Sequence, residues 1–151
     1  MPIKVEIVTQ ERTVFVGEVD SVNLPGSEGR LGILPNHSPL LTTLSYGEVI
    51  VRKGGQEDYY AVGGGFAEVQ PEKVIVLADS AERSDEIDLE RAQQARNRAV
   101  KMMDEGVPED PERYAQIQAS LQRAQIRINV AQRRRRSSAL PTDLRAMRDE
   151  E

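Results

Sequence analysis

The chain changes its hydrophobic rhythm once. From Ile3 to about Ala81, apolar and polar residues alternate in short runs. Examples are Ile3-Lys4-Val5-Glu6-Ile7-Val8, Val14-Phe15-Val16-Gly17-Glu18-Val19 and Val49-Ile50-Val51-Arg52. A period of two sends successive side chains to opposite faces, so each run predicts a strand with one buried side. Turn signals separate the runs: Pro25-Gly26, Pro35-Asn36, Gly54-Gly55 and Gln70-Pro71-Glu72-Lys73. In the last of these, Pro71 takes the second turn position before Val74-Ile75-Val76-Leu77, as in a hairpin. Many short strands at this spacing predict an antiparallel β-sandwich or barrel.

At Ser84 the period lengthens. Ser84 or Asp85 is a suitable helix cap, acids crowd the start (Asp85, Glu86, Asp88, Glu90), and Arg96, Arg98 and Lys101 follow. That charge order complements a helix dipole. Ala92, Ala95, Ala99 and Met103 form a narrow stripe of mostly small residues, along which a second helix can approach closely. Gly106, Pro108 and Pro111 interrupt the pattern, and Asp110-Pro111 restarts it as cap and first helical residue. Tyr114, Ile117, Leu121, Ala124, Ile128 and Ala131 then recur three and four apart, a heptad seam. The pattern predicts three parts: a β domain over 1–83, an antiparallel two-helix hairpin over 84–136, and a disordered tail over 137–151.

Charge supports the same division. Residues 1–83 hold seven basic and twelve acidic side chains, whereas residues 84–151 hold thirteen of each. Aromatic residues are 4% and Trp is absent, so the core must be built from Val, Ile, Leu and Ala. With no Cys and one His, the chain lacks the donors for a disulfide framework, a thiol nucleophile or a His/Cys zinc site. No apolar run approaches the roughly 18 residues of a membrane span, and the N-terminus lacks a signal-peptide core. Membrane association is therefore expected only through a partner.

No constellation argues for catalysis. Gly63-Gly64-Gly65-Phe66 lacks the Gly-Lys-Ser/Thr ending and following helix of a phosphate loop, and strand pattern surrounds it. Close sheet packing or a tight turn is the better reading. His37 and Ser38 are neighbours in a turn-like stretch, with no third group to complete a triad. Arg133-Arg134-Arg135-Arg136 has no interleaved aromatics and the chain is acidic overall. That favours a solvated helix end or contact with an acidic protein surface over nucleic acid.

The hairpin holds one further candidate. Asp88, Arg91 and Ala92 share a helix face, Arg98 lies two turns beyond Arg91, and Arg123 and Arg127 are one turn apart on the second helix. Folding the hairpin gathers these arginines. They are then either the lining of a polyanion site, with Asp88 and apolar Ile87 and Ala92 against a base, or members of ordinary helix salt bridges.

The stretch Gly26-Ser27-Glu28-Gly29-Arg30-Leu31-Gly32-Ile33-Leu34-Pro35-Asn36-His37-Ser38-Pro39-Leu40-Leu41-Thr42 resembles the signature of the epsilon subunits of F-type ATP synthases (called delta in mitochondria). Gly63 to Val69, followed by Val74 to Asp79, resembles it too, over about residues 3–132 in all. The resemblance implies a ten-stranded sandwich at the foot of a rotary central stalk, in a complex on the cytoplasmic face of the cell membrane. Gly26, Ser27, Glu28, Gly29 and Arg30 would meet the c-subunit ring, although many relatives carry an acid at the position of Arg30. His37 would face the gamma subunit. It also implies a hairpin with two states. The compact state packs on the sandwich and permits rotation; the extended state reaches the alpha and beta subunits and blocks ATP hydrolysis. Arg123, Arg127, Arg133, Arg134, Arg135 and Arg136 would meet their acidic loops. Ile87, Asp88, Arg91 and Ala92 match an ATP-binding motif of some bacterial members, with Glu82, Arg98, Arg123 and Arg127 at supporting positions. The expected protein is non-catalytic, requires no cofactor, and takes ATP as a regulatory ligand. The alternative is a purely structural rotor coupler without ligand sensing.

Overall fold

A computed structural model describes residues 2–106 and 108–138, with side chains through Arg133. The alternating runs form eight strands: β1 (Ile3–Val8), β2 (Thr13–Val19), β3 (Ser21–Gly26), β4 (Gly29–Ile33), β5 (Leu40–Lys53), β6 (Gln56–Val69), β7 (Lys73–Ala78) and β8 (Ala81–Arg83). Neighbours follow the order β2-β1-β7-β6-β5-β3-β4, and β8 pairs with β6. All pairs are antiparallel except β1 with β7, which the chain joins only after passing through β2 to β6.

The eight strands stand where ten were expected because β5 and β6 each serve two layers. Over its first half β6 pairs with β8 (Tyr60 opposite Arg83), and over its second half with β7 (Gly65 opposite Ala78). The change of partner falls at Gly63-Gly64-Gly65. Gly64 and Gly65 have φ of 85° and 109°, and a Cβ on Gly65 would lie 2.1 Å from the Leu77 carbonyl oxygen. The glycine run therefore serves close strand packing at the bend, one of the two readings its sequence allowed. Between the layers lies one aliphatic core, which includes Ile3, Val5 and Ile7 of β1, Leu24 of β3, Val49 of β5, Val62 of β6 and Val76 of β7. Tyr60 is its largest buried side chain.

The helical part begins later than the capping residues suggested. Ser84–Glu86 form a single 3-10 turn and Ile87 is extended (φ −79°, ψ 124°). Ile87 turns inward, into a small cluster with Ala61, Val130 and Ala131. Helix α1 (Leu89–Asp104) starts only after it, capped by Asp88, whose Oδ1 accepts from the Arg91 amide at 3.2 Å. Helix α2 (Pro111–Ser138) starts where Asp110-Pro111 placed it, with the Asp110 carboxylate accepting from the Glu112 amide at 3.0 Å. Of the expected seam on α2, Ile117, Ala124, Ile128 and Ala131 are buried while Tyr114 and Leu121 are half-buried; α2 packs against α1, where Ala92 and Ala99 are buried, and Ala131 also joins the cluster on the sandwich. The hairpin is folded down, and the C-terminal half of α2 crosses the outer face of the layer formed by β8, the first half of β6 and the second half of β5. Residues 139–151, most of the expected tail, lie outside the described residues.

Candidate functional site

Beneath α2, the strands present the residues that point away from the core. Val49 and Val51 of β5 face inward, so Glu48 faces α2, next to its cross-strand partner Ala61. Apolar contact is sparse here: Ala61, Ile87, Val130 and Ala131, flanked by Tyr59, Leu89 and Ile126. Charge supplements it at two points. Arg127 of α2 donates to Glu82 of β8 through both arms of its guanidinium, Nε at 2.7 Å and Nη2 at 3.2 Å. Six residues on, Arg133 Nε lies 3.0 Å from Glu48 Oε2, and its guanidinium sits 5.4 Å from the centre of the Tyr59 ring. The Tyr59 hydroxyl in turn donates to Glu57 at 2.5 Å, and Glu57 accepts from Arg52 at 2.9 Å.

These environments move proton affinities in opposite directions. Burial raises Glu48 above the usual carboxylate range, against the opposing pull of Arg133 and Arg30. Hydrogen bonds from Arg52 and Tyr59 hold Glu57 below it. Glu86, which accepts from Arg12 at 2.6 Å, is likewise lowered by that hydrogen bond.

Between α2, the β1–β2 turn and the bend of β6 lies a groove of about 490 Å³. Its polar lining includes Arg12, Tyr46, Asp79, Glu82, Arg123 and Arg127. The Arg123 guanidinium is 5.9 Å from the centre of the Tyr46 ring. Three of the sequence candidates, Glu82, Arg123 and Arg127, thus meet in one concave site. The other candidates lie elsewhere. Ile87 is buried under α2, Ala92 is fully buried in the helix seam, Asp88 caps α1, and Arg91 and Arg98 are exposed on α1. Arg12 and Tyr46 were missed; nothing in the sequence places a β1–β2 turn against a helix over a hundred residues away. Glu48 was missed as well, although a lone acid beside Val49-Ile50-Val51 is a visible signal.

The remaining candidates lie outside this groove. Ser27, Glu28, Gly29 and Arg30 are exposed at the β3–β4 turn, Gly26 is buried at its base, and Arg30 donates back to the Glu48 carbonyl at 2.9 Å. His37 is half-buried, with Nδ1 2.7 Å from the Ser38 carbonyl oxygen. The side chains of Arg134, Arg135 and Arg136 lie outside the described residues. The outer face of the β2-β1-β7-β6-β5 layer is apolar in the open. Val16, Leu41, Phe66 and Leu77 are 40–69% exposed, and Phe66 is paired directly with Leu77. Among the described residues, no cluster of His, Cys, Asp or Glu could hold a metal, and no helix is long and apolar enough to cross a membrane.

A β-sandwich carrying a docked helical hairpin, with an open apolar face on one layer and arginines paired beneath the helix, has the architecture of an assembly subunit. Two family models match: ATP synthase, Delta/Epsilon chain, beta-sandwich domain over residues 2–84, and the long alpha-helix domain of the same chain over residues 85–132. The chain belongs to the ATP synthase delta/epsilon family, as an epsilon-type, non-catalytic subunit of the central stalk. It is 50% identical over 135 residues to the ATP synthase epsilon chain of Dehalococcoides mccartyi, covering 89% of this chain and 95% of the relative. The epsilon chain of Herpetosiphon aurantiacus gives the same identity over 89% and 98%. Its fold is similar to that of a chain in the Euglena gracilis mitochondrial ATP synthase, with a TM-score of 0.72 and 24% identity over 82% of this chain and 78% of that one.

Proposed function

We propose that the two parts divide the work of a rotor subunit: the sandwich couples the gamma subunit to the c ring, and the hairpin inhibits ATP hydrolysis when it leaves the sandwich. The observation that carries this reading is the thinness of the contact under α2. Among the described residues, four buried apolar residues, three partly buried ones, two ion pairs and two arginine–tyrosine contacts join the helix to the sandwich. An interface this small suits a reversible element rather than a fixed brace. Arg127 and Arg133 spend their charge on Glu82 and Glu48 while docked. Undocking frees them, with Arg123 and the run Arg134–Arg136, for acidic loops of alpha and beta. The open face bearing Val16, Leu41, Phe66 and Leu77 suits the gamma subunit, to which His37 is also assigned, and the Gly26–Arg30 turn suits the c ring. Assembly on the cytoplasmic face of the membrane follows from those partners.

ATP is the proposed ligand of the compact state, held in the groove by Arg123 and Arg127 beside Glu82; of the other motif residues, Asp88, Arg91 and Arg98 are exposed on or beside α1 outside the groove, and Ile87 and Ala92 serve the packing beneath the helices. In support, Arg123 and Arg127 flank a groove of a size usual for small-molecule sites, beside the Tyr46 ring. A ligand that binds only the compact hairpin shifts the balance toward it by no more than its differential affinity. Titration calorimetry with the full chain is the test. Heat of binding at millimolar ATP that disappears in Arg123→Ala and in Arg127→Ala is expected; no heat, or heat unchanged in both variants, removes ATP sensing. Removing residues 84–151 from the assembled enzyme separates inhibitor from plain coupler. Hydrolysis should rise several-fold, and an unchanged rate leaves the structural coupler as the better account.

A further inference from the structure

Docking α2 presents a register problem. The helix lays only Val130, Ala131 and the flanking Ile126 on the sandwich, and Ala92, Ala99 and Ala124 are among the buried residues of the two helices, so apolar contact fixes the position of α2 at few points. Against this background Glu48 is conspicuous. It faces the helix, is 9% exposed, and is paired with Arg133, which reaches it at 3.0 Å while lying over the Tyr59 ring; Arg30, bonded to the Glu48 backbone carbonyl, adds a weaker pull. Burial already disfavours the charge of Glu48. Glu82, half-buried, is met at a second point by Arg127, which donates to it through two hydrogen bonds.

We propose that Glu48 and Glu82 form a two-point register key that admits α2 only where Arg133 and Arg127 stand opposite them. The sequence of α2 supplies the argument. The two arginines are six residues apart, roughly 9 Å along a helix at 1.5 Å per residue. Arg127 and Arg133 are the single pair of arginines at that separation in the helix. A slip of three residues one way puts Arg136 at Glu48 but Val130 at Glu82; three the other way puts Val130 and Ala124 there. A slip of four offers Asn129 with Arg123, or Ser137 with Ala131. Each alternative leaves at least one carboxylate without a guanidinium. A buried carboxylate stripped of its partner costs far more than the pair itself contributes, which is why such pairs specify position better than they add stability.

The proposal rests on the compact hairpin described above and not on ATP, so failure of the calorimetric test leaves it standing. It is tested in the full chain without nucleotide. Because the chain has no cysteine, spin labels can be placed at Lys53→Cys on the β5–β6 turn and Gln132→Cys on α2, both exposed. Pulsed dipolar spectroscopy then reads the distance distribution, and circular dichroism checks that each variant is folded. The parent should give one narrow distance. Arg133→Ala should lower the ratio of docked to undocked helix at least tenfold. Arg133→Ala combined with Glu48→Gln should restore docking, since the stranded charge is gone, but with a second population. In that population Arg123 has moved to Glu82, a slip of one turn or roughly 6 Å. A parent-like distribution in Arg133→Ala overturns the proposal, as does a double variant that stays undocked.

Discussion

Single residues here carry roles that their type alone does not announce. Tyr60 is 1% exposed in an aliphatic core, and its hydroxyl has no hydrogen-bond partner among the described residues. Its ring meets Phe15 at 5.8 Å, so the residue contributes through its apolar body. Tyr60→Phe should leave the fold unchanged and raise stability by about 1 kcal/mol at neutral pH, seen as a higher melting temperature, because an unsatisfied buried hydroxyl is removed. Burial also lifts the phenol from 10.0 to about 12. Between those values the unfolded chain has lost the proton and the folded chain keeps it. Stability is therefore whole below pH 10 and falls as pH rises toward 12, by on the order of 2 kcal/mol. Denaturant titrations at pH 9 and 11 should show that extra loss in the parent and not in Tyr60→Phe. Asp88 poses a sharper question, since it is both a motif residue and the cap of α1. Asp88→Ala should cost about 1 kcal/mol through the lost cap, whereas Asp88→Ser keeps the cap and removes the carboxylate. If Asp88 touches ATP, the serine variant melts like the parent and binds ATP more weakly; equal binding assigns the residue to capping alone.

At the level of elements, the contrast is between what repeats locally and what meets from afar. The strand alternation, the hairpin turn at Gln70–Lys73 and the cap at Asp110 are set by neighbours within a few residues, and each was legible. The start of α1 was not. Ser84, Asp85 and Asp88 are all competent caps, and the choice fell to Asp88 because Ile87 must remain extended to reach Val130 and Ala131. The same limit hid most of the candidate site. Arg123 and Arg127 were visible as a pair, but Tyr46 and Arg12 join them, and Glu48 meets Arg133, only through the docking of α2 across distant strands. Periodicity shows the small-residue stripe of α1, of which Ala92 and Ala99 are buried and Ala95 and Met103 half-buried, and it carries a prediction. Ala92 is fully buried and Ala99 is 4% exposed between the helices. Leu at either position overpacks a contact built for a methyl group and should cost about 1–3 kcal/mol. The damage should stay local: limited proteolysis should open the hairpin at α1–α2 while strands β1–β8 remain protected.

For the whole molecule, the outer sheet face is the feature that folding leaves unexplained. Inward, β1 and β7 contribute Ile7, Val74 and Val76, all fully buried. Outward, the same layer sets Leu77 opposite Phe66, Val16 opposite Glu6 and Leu41 opposite Glu68. A strand with apolar residues on both faces is what a sheet buried on both sides requires, and the hairpin covers the other layer instead. The face therefore points to burial in an assembly, with acids interspersed to keep the free chain from pairing with itself. Phe66→Asp tests this cleanly. The ring is 45% exposed, so the substitution should shift the melting temperature of the isolated chain little. If this face meets the gamma subunit, as proposed, the same aspartate would be desolvated there in a reconstituted stalk, and binding to gamma should weaken at least tenfold. Thr43→Asp, at the cross-strand neighbour of Phe66, adds the same charge to the same face and should weaken binding similarly. Glu28→Gln, on the exposed β3–β4 turn, should leave the gamma affinity unchanged. If Phe66→Asp binds gamma as tightly as the parent, the apolar face serves some other surface of the complex, and the orientation of the sandwich on the rotor must be redrawn.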